Sequence, residues 1–145
     1  MSTAPTYGQP EFLGAWGEAW SCGDPQSLLP FYAPDAEYRD VGSDMTFQGH
    51  DEIGRFYRFM LRFAPDSRIE FDHGVGDRTG FAAHWIWSGS AAGPLRLPGR
   101  NELVEASGKH FSVPGIAYCA LAGDGTIASH HDYYDMRAVL LAIIA

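Results

Sequence analysis

The dipeptide Asp124-Gly125 separates two runs that read as strands, NELVEASGKHFSVPGIAYCAL before it and TIASHHDYYD after it. Asp-Gly supplies the positive-φ residues of a two-residue hairpin turn, so it dictates which strands meet and in what register. With Gly123 opposite Thr126, counting outward sets Cys119 against His130, Ala117 against Asp132 and Gly115 against Tyr134. Those six share one face with Val113 and Ala128, and small residues beside polar ones leave the space a ligand pocket needs. The other face gathers Tyr118, Ile116, Ile127, His131 and Tyr133, a bulkier set suited to helices or a second subunit.

The rest of the chain changes period once. Phe12, Ala15, Trp16, Ala19 and Trp20 fall at helical spacing, with Gly23 as a stop, and Ile53, Phe56, Tyr57, Met60, Leu61 and Ala64 form a second stripe closed by Pro65. Asp24 before Pro25 reads as a cap opening a short helix, and AEYRDV alternates like a strand. From Ser67 the period becomes two, through SRIEFDHGVG, TGFAAHWIWSGS and a Gly/Pro-punctuated stretch to about Arg100. Met136, Val139, Leu140, Ile143 and Ile144 give a terminal helical face. Helices followed by a run of antiparallel strands predict an α+β fold, a curved sheet with helices gathered on one side. Residues 1–9 are expected to be a flexible N-terminus, and 10–145 a single domain of ordinary size.

Composition narrows the function. A net charge of -8 with ten Lys plus Arg argues against nucleic acid, which draws its affinity from basic side chains. No apolar run nears the roughly 20 residues of a membrane span, and MSTAPTYGQP lacks the basic start and apolar stretch of a secretory signal. A cytoplasmic protein is expected. Cys22 and Cys119 lack metal or disulfide spacing and read as buried small apolar residues. Aromatic residues make up 14% of the chain, enough for a bulky interior or pocket wall.

The stretches LLPFYAPDAEYRDVG, FQGHDEIGRFYRF and DGTIASHHDYYDMRAVL resemble the SnoaL-like polyketide cyclases of the NTF2-like superfamily, to which limonene epoxide hydrolase and ketosteroid isomerase also belong. The resemblance runs from about Phe12 to about Leu141. It implies a cone-shaped mixed or antiparallel sheet around a deep apolar pocket, closed by the N-terminal helices, usually in a homodimer. Activities in that superfamily include aldol cyclisation, isomerisation, dehydration and epoxide opening, and some members only bind. In the cyclases and the epoxide hydrolase an acid/base Asp lies five residues after the Ile of the DG-x-I turn; here Ile127 leads to Asp132. The hydrolase also places an Arg and an Asp two apart on an earlier strand, where this chain has Trp87 and Gly89.

Asp132 is the principal catalytic candidate. Inside a strand it has no capping role, and in apolar surroundings its pKa is expected to rise toward that of a general acid or base. A salt-bridged or solvated Asp132 on an outer face is the competing reading. Asp135, just before the terminal helix, reads as its cap. His130, about 6 to 7 Å along the same face, is the second catalytic candidate. His130 and His131 point to opposite faces, so they cannot chelate one ion; His130 and Asp132 with His84 or His110 lack an established metal spacing, and no metal or other cofactor is expected. Tyr38, Asp40, Trp16, Trp20, Phe56, Phe59, Trp85, Trp87 and Tyr134 are substrate-binding candidates, with Tyr38 or Tyr134 available to hold a substrate oxygen. The expected function is acid/base chemistry on a small apolar carbonyl compound; a noncatalytic binding module is the alternative, and epoxide hydrolysis the third.

Overall fold

The computed structural model describes residues 9–97 and 103–144. The segment 1–8, assigned to the N-terminal tail, and the end of the Gly/Pro-punctuated stretch lie outside the described residues. Helix α1 (Pro10–Ser21) opens with proline in its first turn, and helix α2 (Pro25–Leu28) is capped by Asp24, whose carboxylate accepts from Gln26 N–H. A 3-10 turn, Leu29–Phe31, leads into β1 (Tyr32–Asp40), followed by β2 (Met45–Gln48) and α3 (Gly49–Phe63). Then come β3 (Arg68–Gly76), β4 (Gly80–Ser90), the short pair β5 (Leu95–Arg96) and β6 (Leu103–Val104), β7 (His110–Leu121), β8 (Ile127–Tyr134) and α4 (Met136–Ile143). Asp135 caps α4, accepting from Arg137 N–H at 2.9 Å.

Six strands form one mixed sheet in the order β2-β1-β8-β7-β4-β3. All neighbours are antiparallel except β1 and β8, which run parallel. The mixed sheet is the expected α+β architecture, and its parallel seam joins two strands that lie far apart in sequence with no local turn between them. Strands β4 and β7 alternate residue by residue between buried and less buried, as a sheet with one covered face must. Their buried residues, Phe81, Ala83, Trp85 and Trp87 on β4 and Phe111, Val113, Ala117 and Cys119 on β7, meet the helices and form the core.

Helix α1 lies close on β3. Gly17 allows the approach, since a Cβ there would stand 3.0 Å from the Ile69 carbonyl oxygen. Ser21 Oγ accepts from Ile69 N–H at 3.0 Å, and Trp16 stacks on Phe71 with centroids 4.5 Å apart. This contact rotates the buried face of α1 to Leu13, Trp16, Gly17, Ala19 and Trp20, leaving Ala15 exposed where the helical stripe placed it inside. The α3 stripe is buried at Ile53, Phe56, Tyr57 and Met60, with the chain leaving the helix before Pro65.

The Asp-Gly turn differs in detail from its expectation. Ala122 N–H donates to Thr126 O and Gly125 N–H to Ala122 O, so Gly123, Asp124 and Gly125 form a three-residue loop with Gly125 at φ +88°. The pairing Leu121 to Ile127 is therefore shifted by one residue, and an irregularity before Ala120 and Ser129 shifts it back. From there the expected partners hold: Cys119 with His130, Ala117 with Asp132, Gly115 with Tyr134. Of the two cysteines, Cys119 is buried and Cys22 is exposed at the end of α1, which corrects the reading of Cys22 as a core residue.

Candidate functional site

The β7–β8 register delivers His130, Asp132 and Tyr134 to the covered face, and the β1–β8 register sets Tyr38 beside His130 and Asp40 beside Asp132. Two carboxylates thus stand side by side on adjacent strands. Both are buried, Asp40 at 4% and Asp132 at 7% exposure. They open on a narrow cleft lined by Trp20 of α1, Phe56 and Met60 of α3, Ile69 of β3, Trp85 and Trp87 of β4, and Tyr38 and Tyr134. The centre of a water-sized sphere has about 30 Å³ of room there, against the ~10–15 Å³ one water needs. A neighbouring chamber of about 20 Å³ shares Asp40, Phe56, Met60, Trp87 and Tyr134, and adds Ser43, Phe59, Phe63, Leu95, Leu97 and Met136.

Asp132 is held from three directions. Tyr38 OH donates to Oδ2 at 2.7 Å, Trp85 Nε1–H donates to Oδ1 at 3.0 Å, and His130 Nε2 lies 2.8 Å from Oδ1. Behind it the chain continues, with His130 Nδ1 lying 2.9 Å from Tyr32 OH. Burial raises the Tyr32 phenol well above its ordinary pKa, with the charges of Cys119 and Asp132 adding to it. Tyr32 therefore stays protonated and able to donate to Nδ1, an arrangement that suits the Nε2–H tautomer of His130 with its donor on the carboxylate. Asp40 accepts from Tyr134 OH at 3.1 Å and from Ser43 N–H at 3.3 Å. Burial, and then the charge of Asp132, push its pKa from 3.8 up to about 6. Burial, the larger cause, and the charge of the neighbour on β8 thus both favour the protonated form of Asp40.

Several candidates take other places than the sequence suggested. His130 is fully buried behind Asp132 and does not line the cleft, because Trp16, Trp20, Tyr32 and Tyr38 enclose its ring. Trp16 likewise lies beneath the site, between His130 and Phe71, and not in the cleft wall. Trp20, Phe56, Trp85 and Trp87 do line the cleft, and Phe59 lines the second chamber. Tyr38 and Tyr134 are buried, and their hydroxyls are spent on the two carboxylates. The space expected above the small residues of β7 is filled at Gly115 by the Trp85 ring. His84 points away from the site and pairs with Asp72 at 2.6 Å, while His110 is exposed at the start of β7. Among the described residues, no three His, Cys, Asp or Glu side chains converge to hold a metal ion.

Tyr32, Met60 and Ile69 were not singled out by sequence. Tyr32, Tyr38 and Asp40 sit at even spacing on a strand ending in the buried Asp40, a pattern that could have flagged Tyr32; Met60 and Ile69 carry no such signal.

A family model described as SnoaL-like domain matches residues 13–130, ending two residues before Asp132. No curated protein matches the sequence. The fold is shared with a hypothetical protein of ketosteroid isomerase-like fold from Catenulispora acidiphila DSM 44928, solved in complex with trimethylamine, at 21% identity, TM-score 0.75 and 93% coverage of each chain. A protein named as a candidate SnoaL-like polyketide cyclase from Jannaschia sp. CCS1 superposes at 21% identity and TM-score 0.75, covering 92% of this chain and 88% of its own. TsrD from Streptomyces laurentii superposes at 24% identity and TM-score 0.73, with 91% of each chain covered. With most of its length matched by that model and its architecture shared with these structures, the chain belongs to the SnoaL-like domain family and has the NTF2-like fold.

Proposed function

We propose that the protein is an acid/base enzyme acting on a small carbonyl compound through an enol or enolate, as in cyclisation or isomerisation. The observation that carries this reading is the pair Asp40 and Asp132, adjacent in register and opening on one aromatic cleft. Three neighbours hold the Asp132 carboxyl in place and leave one of its roughly four acceptor positions open to the cleft, where it is the base that takes a proton from the carbon next to the carbonyl. Asp40, whose pKa of about 6 lies close to neutral pH, passes readily between acid and carboxylate there, and in its protonated form donates to the carbonyl oxygen. The enol then either recovers a proton at another carbon or attacks a second carbonyl. His130, set behind Asp132 and away from the cleft, orients the base and does not touch substrate.

The test is exchange of the α-protons of small ketones, beginning with 2-butanone, for deuterium in D2O, followed by NMR. The wild-type chain is expected to accelerate exchange, and Asp132→Asn to fold and lose about 10²-fold or more. Unchanged exchange in the variant would remove Asp132 from the reaction. No acceleration with any small ketone would leave the second reading, a noncatalytic binding module, which the small ligand seen in the Catenulispora protein favours. Epoxide opening gains a second carboxylate in Asp40 but finds no Arg among the described residues of the cleft lining. The reading includes a homodimer formed through the outer sheet face, where Ile116, Tyr118 and Tyr133 are 41%, 62% and 46% exposed in the single chain.

A further inference from the structure

The cleft has a marked chemical bias. Its wall combines the rings of Trp20, Tyr38, Phe56, Trp85, Trp87 and Tyr134 with two carboxylates, and among the described residues it contains no Lys, Arg or His. Four donors at this wall are already engaged: Tyr38 and Trp85 on Asp132, Tyr134 on Asp40, and Trp87 on Ser67 Oγ at 2.7 Å. A ligand therefore meets carboxylate oxygens and aromatic π systems, both of which attract positive charge. An anion finds no compensating cation, and a neutral molecule of the same shape gains only contact. The cleft of about 30 Å³ and its neighbouring chamber of about 20 Å³ together suit a compact head of about three to five water-sized atoms.

We propose that the cleft binds a small alkylammonium group, alone or as the head of the substrate. This rests on the cleft being the ligand site, as in the proposed function, but not on a reaction occurring there. Recognition comes from ring faces around the methyl groups and from Asp40 and Asp132 neutralising the charge.

Trp20, Trp85 and Trp87 make tryptophan fluorescence the direct readout. Wild-type protein is titrated at fixed ionic strength with tetramethylammonium, with tert-butanol as a neutral ligand of the same size, and with acetate. Saturable binding of tetramethylammonium at least about tenfold tighter than tert-butanol is expected, with no saturation by acetate. Asp40→Asn should reduce that preference about tenfold, and Phe56→Leu, which removes a ring without altering charge, should weaken the cation more than the alcohol. Each variant is first checked for native circular dichroism. Equal binding of alcohol and cation, tighter binding of acetate, or a cation affinity untouched by both substitutions overturns the proposal. Cation binding without proton exchange would sink the proposed reaction and leave this inference standing; exchange without cation preference would do the reverse.

Discussion

Asp40 and Asp132 are direct partners across the parallel seam of β1 and β8, and burial followed by the charge of Asp132 raises the proton affinity of Asp40. The effect is readable in stability. Folded Asp40 holds its proton up to about pH 6 and the unfolded chain releases it near 3.8, so the folded state binds more protons between those values. The resulting stabilisation is present below the lower value, is lost as pH rises through about 6, and is absent above it. Asp40→Asn removes this dependence while leaving an acceptor for Tyr134. Urea denaturation of the two proteins from pH 4 to 7.5 should show wild type losing about 2 to 3 kcal/mol relative to the variant; parallel curves would mean that Asp40 titrates alike in both states.

Gly115 and Trp85 form a second dependence. A Cβ at position 115 would fall within the Trp85 ring, whose N–H reaches Asp132. Gly115→Ala should displace that ring, cost about 1 to 3 kcal/mol by overpacking, and shift tryptophan emission as the hydrogen bond breaks. Gly14→Ala is the control, because a Cβ there meets nothing within 4 Å on an exposed helix position. It should gain about 0.5 to 1 kcal/mol from reduced backbone entropy in the unfolded chain. Equal effects of the two substitutions would remove the special role of Gly115.

The contrast between these residues explains what the sequence could reveal. Asp132, His130 and Tyr134 were placed on one face because an Asp-Gly turn a few residues away sets their register, and that register survives even though the loop is one residue longer than expected. The partners of Asp132 were not legible. Tyr38 is 94 residues away and Trp85 47, and each arrives through a strand pairing that no local turn encodes. Small residues on β7 suggested open space, yet a small residue equally well accommodates a large neighbour, and only the fold decides between them. Ala15 failed for a related reason: helical period identifies a stripe but not how far α1 rotates when Gly17 brings it against β3, while Cys22, read only from its lack of a paired spacing, caps the exposed end of that helix.

Tyr32 supplies a test of the buried chain behind the site. Its hydroxyl lies 2.9 Å from His130 Nδ1, and His130 Nε2 lies 2.8 Å from Asp132. Tyr32→Phe removes the donor and leaves Nδ1 buried without one, costing about 1 to 3 kcal/mol. Nitrogen NMR of the imidazoles should show wild-type His130 as the Nε2–H tautomer, with the variant's Nδ1 resonance moved from its hydrogen-bonded position. A purely packing role would lower stability and leave that resonance in place. Because His130 only orients the base, proton exchange in the variant should fall by less than in Asp132→Asn.

The outer face of the sheet carries the remaining expectation. Tyr118 and Tyr133 lie beside the exposed Ile116, while His131 is tied to Glu37 at 2.9 Å on the same side of β8. Isolated apolar side chains are ordinary on a surface, but these three come from paired positions on β7 and β8 and form a contiguous patch. If two chains bury this patch, Tyr118→Glu places a charge in the interface with no partner and should raise the dimer dissociation constant by about tenfold or more. Size-exclusion chromatography with light scattering reads this directly: wild type should run at twice the chain mass and the variant should shift toward the monomer as it is diluted. A monomeric wild type, or a dimer indifferent to Tyr118→Glu, would place any association elsewhere. The variant's fold should be unchanged, since Tyr118 is 62% exposed and its side chain contributes little to the core.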